Sequence, residues 1–176
     1  MRKIKLYIAA SLDGYIAQSD GDIDWLMEFP KPQKSDNSYK EFLESVDTVI
    51  IGGRAYQELA CMDILWPYKD KNTYVVTHSP IDFKKDVNFI TENVIETIIR
   101  LKEQEGKDIW LAGGGELTTM LLNSSLIDEM IITYIPVILG KGIPLFPNNP
   151  KESKWSPTGY MSYDNGAHKV IYQFSE

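Results

Sequence analysis

The sequence predicts an α/β fold in which a mostly parallel central sheet carries helices on both faces and an antiparallel hairpin at one edge. Three times, a β-branched or apolar run ends in a glycine-bearing or hydroxyl-bearing turn and is followed by a helical pattern. This alternation is typical of parallel sheets covered by helices. Residues 155–174 instead form two strand-like runs around Asn165-Gly166, which predicts the hairpin. A length of 176 residues predicts one domain over residues 1–176.

The N-terminal segment predicts a first strand and a first helix. Residues 3–11 are mostly apolar, as expected for a central strand buried on both faces, and Asp13-Gly14 is a turn signal. After a polar loop, a helix is predicted to begin near Asn37, because polar capping residues precede apolar residues at helical spacing. Those apolar residues are Tyr39, Phe42, Leu43 and Val46.

The first two strand-turn-helix units fill the middle of the chain. Strand 48–53 contains β-branched residues and two glycines, and the helix formers RAYQELA follow it. Strand 72–79 ends in small hydroxyl residues. An amphipathic helix over 93–106 comes next, and Gly106 is expected to end it.

The third unit lies within residues 108–138 and is the clearest. It contains a strand, the turn Gly113-Gly114-Gly115, a helix that starts with Glu116 and Leu117, and another strand over about 128–135. Ligands of open α/β sheets bind beyond the carboxyl ends of the strands. The free N–H groups and positive dipole end of this helix would therefore face an approaching pyrophosphate. The alternative is that the glycines only form a tight turn.

Charge and composition exclude several classes of protein. The net charge of −7, from 18 basic and 25 acidic side chains, argues against a protein that binds nucleic acid by neutralising phosphates. One cysteine, Cys61, and two histidines, His78 and His168, argue against a disulfide framework or a zinc cluster. No run approaches the roughly 18 apolar residues of a membrane helix. We therefore expect a cytoplasmic protein without a metal site.

Arg54 is a candidate anion-binding residue, because it follows a strand and starts a helix. Its guanidinium can hold a 2′-phosphate on an adenosine ribose by charge-assisted hydrogen bonds. His78 and Ser79, after the next strand, can complete the same pocket. The alternatives are a surface ion pair for Arg54 and simple turn chemistry for His78 and Ser79.

The order of these motifs resembles the dihydrofolate-reductase-like superfamily. The resemblance lies in the paired alanines of the first strand, Ala9-Ala10, and in the segments IIGGRAY, YVVTHS and LAGGGELTTMLL. Within that superfamily, SLDGYIA and YIPVILGKGIPLF are similar to the reductase domain of the riboflavin-pathway deaminase/reductase. The resemblance covers nearly the whole chain and implies a reductase that uses NADPH.

The same resemblance implies positions for the cofactor and the substrate. The cofactor residues it implies are Ala10, Gly14 and Ile16 beside the nicotinamide; Gly53 and Arg54 at the adenosine-side phosphates; Thr77, His78 and Ser79 at the ribose and adenine; and Gly113, Gly114, Gly115, Glu116 and Leu117 at the pyrophosphate. The substrate, pterin-like or pyrimidine-ribityl-like, would lie between the first strand and the strand carrying Thr133 and Ile138. Trp25 is expected either to wall that cavity or to be a core tryptophan.

The chain departs from these relatives at the acidic positions. The carboxylate that dihydrofolate reductases place on the helix before the Gly-Arg strand falls near Asn37, with Asp36 beside it. Ala112 stands where riboflavin reductases commonly have a glutamate. The deaminase motif H-x-E with P-C-x-x-C is also missing from the sequence. Asp13 is the carboxylate expected nearest the nicotinamide, orienting substrate or passing a proton, unless it only caps its own turn.

Two further interpretations remain open. The missing carboxylates are consistent with a nucleotide-binding module of the same fold that has no turnover, or with an α/β protein that binds another ligand. A pterin or dihydrofolate reductase is the alternative within the superfamily. The C-terminal edge hairpin, together with relatives that pair, is consistent with a homodimer.

Overall fold

The computed structural model describes residues 1–34, 37–61, 68–79 and 87–175. The strands in the described part of the chain are β1 (Ile4–Ser11), β2 (Tyr15–Ala17), β3 (Val46–Gly52), β4 (Asn72–Val76), β5 (Val87–Ile90), β6 (Asp108–Gly113), β7 (Glu129–Ile135), β8 (Ile143–Pro144), β9 (Lys154–Ser162) and β10 (His168–Ser175). The helices are α1 (Asp24–Met27), α2 (Ser38–Ser45), α3 (Gly53–Cys61), α4 (Val94–Glu103) and α5 (Gly115–Asn123). In these same segments no helix has the length and apolar character needed to span a membrane.

Eight strands form one sheet in the order β5-β4-β3-β6-β1-β7-β10-β9. Neighbouring strands from β5 to β7 run parallel, whereas β10 runs antiparallel to both β7 and β9. The predicted fold class, a mostly parallel sheet with an antiparallel C-terminal hairpin at its edge, is confirmed. Parallel order brings the carboxyl ends of six strands to one edge of the sheet.

Helices cover both faces of the sheet because apolar side chains alternate along its central strands. Leu6, Ile50 and Leu111 are fully buried in a core cluster that also contains residues of α4 and α5. Their neighbours Val49 and Trp110 point to the opposite face, where they pack with Phe42 of α2. A third cluster packs Ile51 and Val75 against residues of α3. A strand buried on both faces reads as a continuous apolar run, which is why the sequence revealed β1, β3 and β6.

Three features of the fold differ from the sequence prediction. The short strand β5 was missed because four residues give little pattern, and it forms by pairing with β4. The two-stranded sheet of β2 and β8 was missed for the same reason. The end of α4 was placed too late: the chain leaves the helix at Gln104, which is extended, and not at Gly106. The Gly106 backbone instead lies so close to Asp47 that an added Cβ would be 2.7 Å from Oδ2.

Asp13 holds together the two loops that flank β2 and β8. Its Oδ1 accepts hydrogen bonds from Ser11 Oγ at 2.6 Å and from the Leu139 N–H at 3.1 Å, and its Oδ2 accepts one from the Gly140 N–H at 2.7 Å. These bonds, with Ser11 the strongest contributor, lower the pKa of Asp13. The carboxylate therefore stays ionised, and its contacts favour a structural role over the donation of a proton.

We expect Asp13→Asn to destabilise the protein at neutral pH and to matter less in acid. A group whose pKa is lower in the folded state stabilises that state above its unfolded pKa, near 3.8, and the effect is lost as pH falls through the folded value. Urea unfolding across the acid range measures the difference between variant and wild type. Glu152→Gln, at an exposed carboxylate of the segment before β9, controls for the charge change. A difference that persists unchanged into acid would contradict the assignment.

Candidate functional site

A cavity of about 870 Å³ opens where β1, β3, β4, β5 and β6 end. This volume lies within the range of about 300–1,000 Å³ usual for ligand sites. Its wall has two parts of different chemistry. We call the first the glycine side, formed by Gly53, Arg54, Thr77, His78, Gly114, Gly115, Glu116 and Leu117, and the second the aromatic side, formed by Tyr7, Tyr39, Tyr68 and Trp110.

On the glycine side, the turn from β3 into α3 rests directly on the end of β4. A Cβ added to Gly53 would lie 2.7 Å from both Cβ and Oγ1 of Thr77, so only glycine fits there. Thr77 is fixed in turn, because its N–H donates to the Ile90 carbonyl at 3.1 Å and its Oγ1 accepts from the Ser79 N–H at 3.2 Å. The ends of three strands are thus locked together beside the cavity.

The turn from β6 into α5 has a backbone conformation that residues other than glycine adopt only with strain. Gly113 and Gly114 have φ angles of 121° and 92°, which L-residues rarely adopt. A Cβ added to Gly114 would lie 3.4 Å from the Gly52 Cα, so the backbones of β3 and of this turn are in contact. Helix α5 then begins at Gly115, and the first N–H groups of a helix have no partner within it. The turn therefore presents helix N–H groups and a positive dipole end to the cavity.

Among the described residues, Arg54 is the one arginine or lysine that lines the cavity, and it is exposed at the start of α3. Its Nη2 donates to the Ser19 carbonyl at 3.3 Å, a long contact that leaves most of the guanidinium available. Glu58 lies one helical turn later and also lines the cavity. The guanidinium is placed to bind an anionic group at the rim of the glycine side.

The aromatic side is a packed set of rings on the α2 and α3 face of the sheet. The rings of Tyr39 and Tyr68 stand at 82° and 83° to the Trp110 indole, with centroids 6.4 Å and 4.8 Å away. Tyr7 contacts Tyr39 at 5.5 Å, and its carbonyl accepts the Trp110 Nε1–H at 3.2 Å. Tyr39 and Tyr68 share a side-chain hydrogen bond, and burial raises the pKa of both hydroxyls. Both hydroxyls therefore stay protonated at neutral pH.

Sequence reasoning missed the aromatic side, although a signal for it was present. Residues two apart on a strand share a face. Tyr7 and Ala9 of β1 therefore point the same way, as do Trp110 and Ala112 of β6. Since Ala112 stands where riboflavin reductases commonly have a glutamate, the period of two places Trp110 on the same face as that site position.

The structure brings some of the expected site residues to the cavity and leaves others outside. The expected residues that line it are Ile16, Gly53, Arg54, Thr77, His78, Gly114, Gly115, Glu116 and Leu117. The expected residues that are described but do not line it are Ala10, Asp13, Gly14, Trp25, Ser79, Gly113, Thr133 and Ile138. Asp36 lies outside the described residues.

The expected substrate position beside Thr133 and Ile138 stays a prediction. β1 and β7 are hydrogen-bonded neighbours, with Ala9 paired to Thr133, and neither Thr133 nor Ile138 lines the cavity. Ile138 lies three residues beyond the end of β7 and is 68% exposed. The cavity instead lies over the strand ends, against the aromatic side.

Two other expected residues have neighbours that take their place. Ala10 is fully buried in the core beneath α4 and α5, whereas Ala9 faces the cavity. Near Trp25, the cavity is lined by Ile23 and Leu26, which share a face at helical spacing. Strand alternation decides the first case, and helical spacing decides the second.

The chain matches known proteins along most of its length. The family model of the RibD C-terminal domain matches residues 2–169. The uncharacterized protein YwjB of Bacillus subtilis (strain 168) is 47% identical over 154 residues, which are 87% of this chain and 87% of its own. The 5-amino-6-(5-phosphoribosylamino)uracil reductase of Buchnera aphidicola subsp. Acyrthosiphon pisum (strain APS) is 36% identical over 76 residues, 43% of this chain and 32% of its own.

Solved structures agree with the fold. A protein of Shewanella sp. PV-4 assigned provisionally to riboflavin biosynthesis superposes with a TM-score of 0.86 at 28% identity, covering 99% of each chain. Dihydrofolate reductase from Enterococcus faecalis, complexed with NADP(H) and RAB-propyl, superposes with a TM-score of 0.69 at 18% identity, covering 99% of this chain and 97% of its own. At this identity the comparison shows only that the two proteins share a fold. The expected resemblance is confirmed, and because the family model covers nearly the whole sequence, this chain belongs to the RibD C-terminal domain family.

Proposed function

We propose that this protein is an NADPH-dependent reductase that transfers a hydride to a small heterocyclic substrate. The observation that carries the proposal is the two-part cavity, in which a glycine-built wall suited to phosphates adjoins an aromatic wall suited to a planar ring. The family supports reductase chemistry, since one curated relative is 5-amino-6-(5-phosphoribosylamino)uracil reductase. The shared fold with an NADP(H)-bound dihydrofolate reductase supports the choice of cofactor.

The glycine side fits a dinucleotide on the evidence of its own backbone. A side chain at Gly53 would collide with Thr77, and Gly114 has a φ of 92°, which L-residues rarely adopt. Both glycines therefore fix the turns that position the start of α5 at the cavity wall, where helix N–H groups favour an anion. The N–H groups at the start of α5 would bind the pyrophosphate, and Arg54 would bind the 2′-phosphate.

The protein residues have separate tasks in this proposal. When bound, NADPH would supply a hydride to an electrophilic carbon of the substrate, and a proton passed from solvent through a carboxyl group would complete the reduction. The rings of Tyr39 and Trp110 orient the substrate and exclude water from the aromatic side. Asp36 remains the carboxylate proposed for proton donation from its sequence position, because the contacts of Asp13 favour the bracing of loops.

NADPH should stabilise the protein more than NADH. At about 100 times its dissociation constant, a ligand adds roughly 2.7 kcal/mol to the free energy of unfolding, which raises the melting temperature by roughly 5–10 °C. NADH lacks the phosphate that Arg54 would bind, so its shift at the same concentration should be smaller. Thermal unfolding with each nucleotide measures the difference. Equal shifts, or none, would count against the proposed cofactor.

Arg54→Gln should remove the preference for NADPH. The loss of charge-assisted hydrogen bonds should weaken NADPH binding by roughly 10- to 100-fold and leave NADH binding nearly unchanged. Calorimetric titration of both nucleotides gives the two affinities. The matched control is Arg100→Gln, which removes an exposed arginine of α4 that pairs only locally with Glu96. A parallel loss of affinity for both nucleotides would show that Arg54 supports the turn and does not select the phosphate.

Turnover separates an enzyme from a binding module of the same fold. We expect the protein to oxidise NADPH with at least one compound from a panel of pterins, dihydrofolate and the riboflavin intermediate. The loss of nicotinamide absorbance measures this oxidation. Tight NADPH binding without oxidation of any panel member would favour the non-catalytic module.

A further inference from the structure

We infer that Glu58 sets how strongly the site discriminates between NADPH and NADH. Its carboxylate would accept a hydrogen bond from the adenosine ribose of NADH and would oppose the 2′-phosphate of NADPH that Arg54 attracts. The inference rests on the proposed function, to which it adds a second residue that decides the cofactor preference.

Glu58 shares the cavity-facing side of α3 with Arg54. The two residues are four apart in the helix, so their side chains lie on one face, and both line the cavity. Ala55 and Leu59, each the next residue along the chain, line it as well. The carboxylate and the guanidinium therefore face the same ligand space from one helix.

Gly21, in the loop after β2, shows how close the two charged side chains come to each other. A Cβ added to Gly21 would lie 3.2 Å from Arg54 Nε and 3.3 Å from Glu58 Oε1. Gly21 also lines the cavity, and its φ of 97° favours glycine. The charged ends of both side chains thus reach the same point of the cavity wall, against the backbone of this loop.

The carboxylate of Glu58 is available to a ligand. Over residues 1–34, 37–61, 68–79 and 87–175, no hydrogen bond or ion pair involves this side chain, although it is half-buried. The Arg54 guanidinium donates instead to the Ser19 carbonyl at 3.3 Å. An ionised carboxylate only accepts hydrogen bonds, so a ligand hydroxyl is the kind of group that Glu58 can bind.

NADPH and NADH differ only at the group that this pair of charges would meet. In open α/β dinucleotide sites, an acidic side chain binds the ribose 2′-hydroxyl of NADH, whereas an arginine binds the 2′-phosphate of NADPH. Here one residue of each type reaches the same point. A phosphate held by Arg54 would be repelled by the neighbouring carboxylate, because like charges at such short range raise the energy of the complex. Glu58 would therefore weaken the preference for NADPH and support the binding of NADH.

Glu58→Gln should raise the preference for NADPH by moving the two affinities in opposite directions. We expect NADPH to bind roughly 3- to 10-fold more tightly, because the repulsion is removed. NADH should bind roughly 2- to 5-fold more weakly, because a neutral amide is a poorer acceptor than a carboxylate. Calorimetric titration of the full chain with each nucleotide measures both dissociation constants. The gain for NADPH should shrink at high salt, which screens exposed charges.

Two further variants control for the change. Glu103→Gln removes an exposed carboxylate of α4 that does not line the cavity, and it should leave both affinities unchanged. Glu58→Asp keeps the charge, so its affinity for NADPH should stay closer to wild type than that of Glu58→Gln. Affinities that rise or fall together in Glu58→Gln would show that Glu58 only supports the Gly21 loop. That result, or two unchanged affinities, would overturn the inference.

The proposed function and this inference fail in different ways. If the two nucleotides respond to Glu58→Gln in opposite directions but no compound of the panel is reduced, the reductase proposal fails and the role of Glu58 stands. If NADPH is oxidised while Glu58→Gln shifts both nucleotides equally, only the role of Glu58 is wrong. If neither nucleotide binds the wild type or the variant, both are wrong.

Discussion

The backbones of β3 and of the turn after β6 meet at Gly52 and Gly114, and the architecture of the cavity depends on that contact. The φ of 92° at Gly114 favours glycine there, and an added Cβ would be in contact with the Gly52 Cα at 3.4 Å. Gly53 extends the same constraint to β4, because it leaves no room between its Cα and Thr77. The three strand ends are thereby fixed relative to one another, and the helices α3 and α5 begin at positions that this contact dictates.

The aromatic side of the cavity is built by packing between rings and not by contact between backbones. Large rings fill the face that α2 and α3 cover, and each ring fixes the next by edge-to-face contact. The buried ammonium of Lys169 links the antiparallel hairpin to this wall, because it lies over the Tyr7 ring and donates a hydrogen bond to Ser38 at the start of α2. A cavity wall built this way is rigid and largely neutral, whereas the glycine side presents backbone dipoles and the cavity's arginine. The proposed division of the cavity between a cofactor and a substrate rests on this division of the wall.

The loops that frame the cavity depend on fewer contacts than the sheet. The ionised carboxylate of Asp13 joins the β1–β2 turn to the segment at Leu139 and Gly140, and the Leu145 N–H donates to the Gly14 carbonyl at 2.9 Å. Pro144 and Pro147 then cover Gly115, where an added Cβ would lie 2.5 Å from the Pro144 carbonyl oxygen. The start of α5 is therefore positioned by two contacts, one with the end of β3 and one with Pro144 and Pro147.

The sequence by itself determined the fold class, the central strands and the glycine turns, because these depend on local pattern: continuous apolar runs, helical spacing and residues that tolerate positive φ. It also indicated the family through the order of those turns. Only the tertiary structure decided which side chains face the cavity. Ala9 lines it and Ala10 does not, Asp13 turns to a neighbouring loop, and the rings of Tyr7, Tyr39, Tyr68 and Trp110 meet although they are far apart in the chain. The physical reason is that the direction of a side chain and its long-range contacts depend on strand register and helix docking. Packing between distant segments sets both, so local sequence patterns do not reveal them.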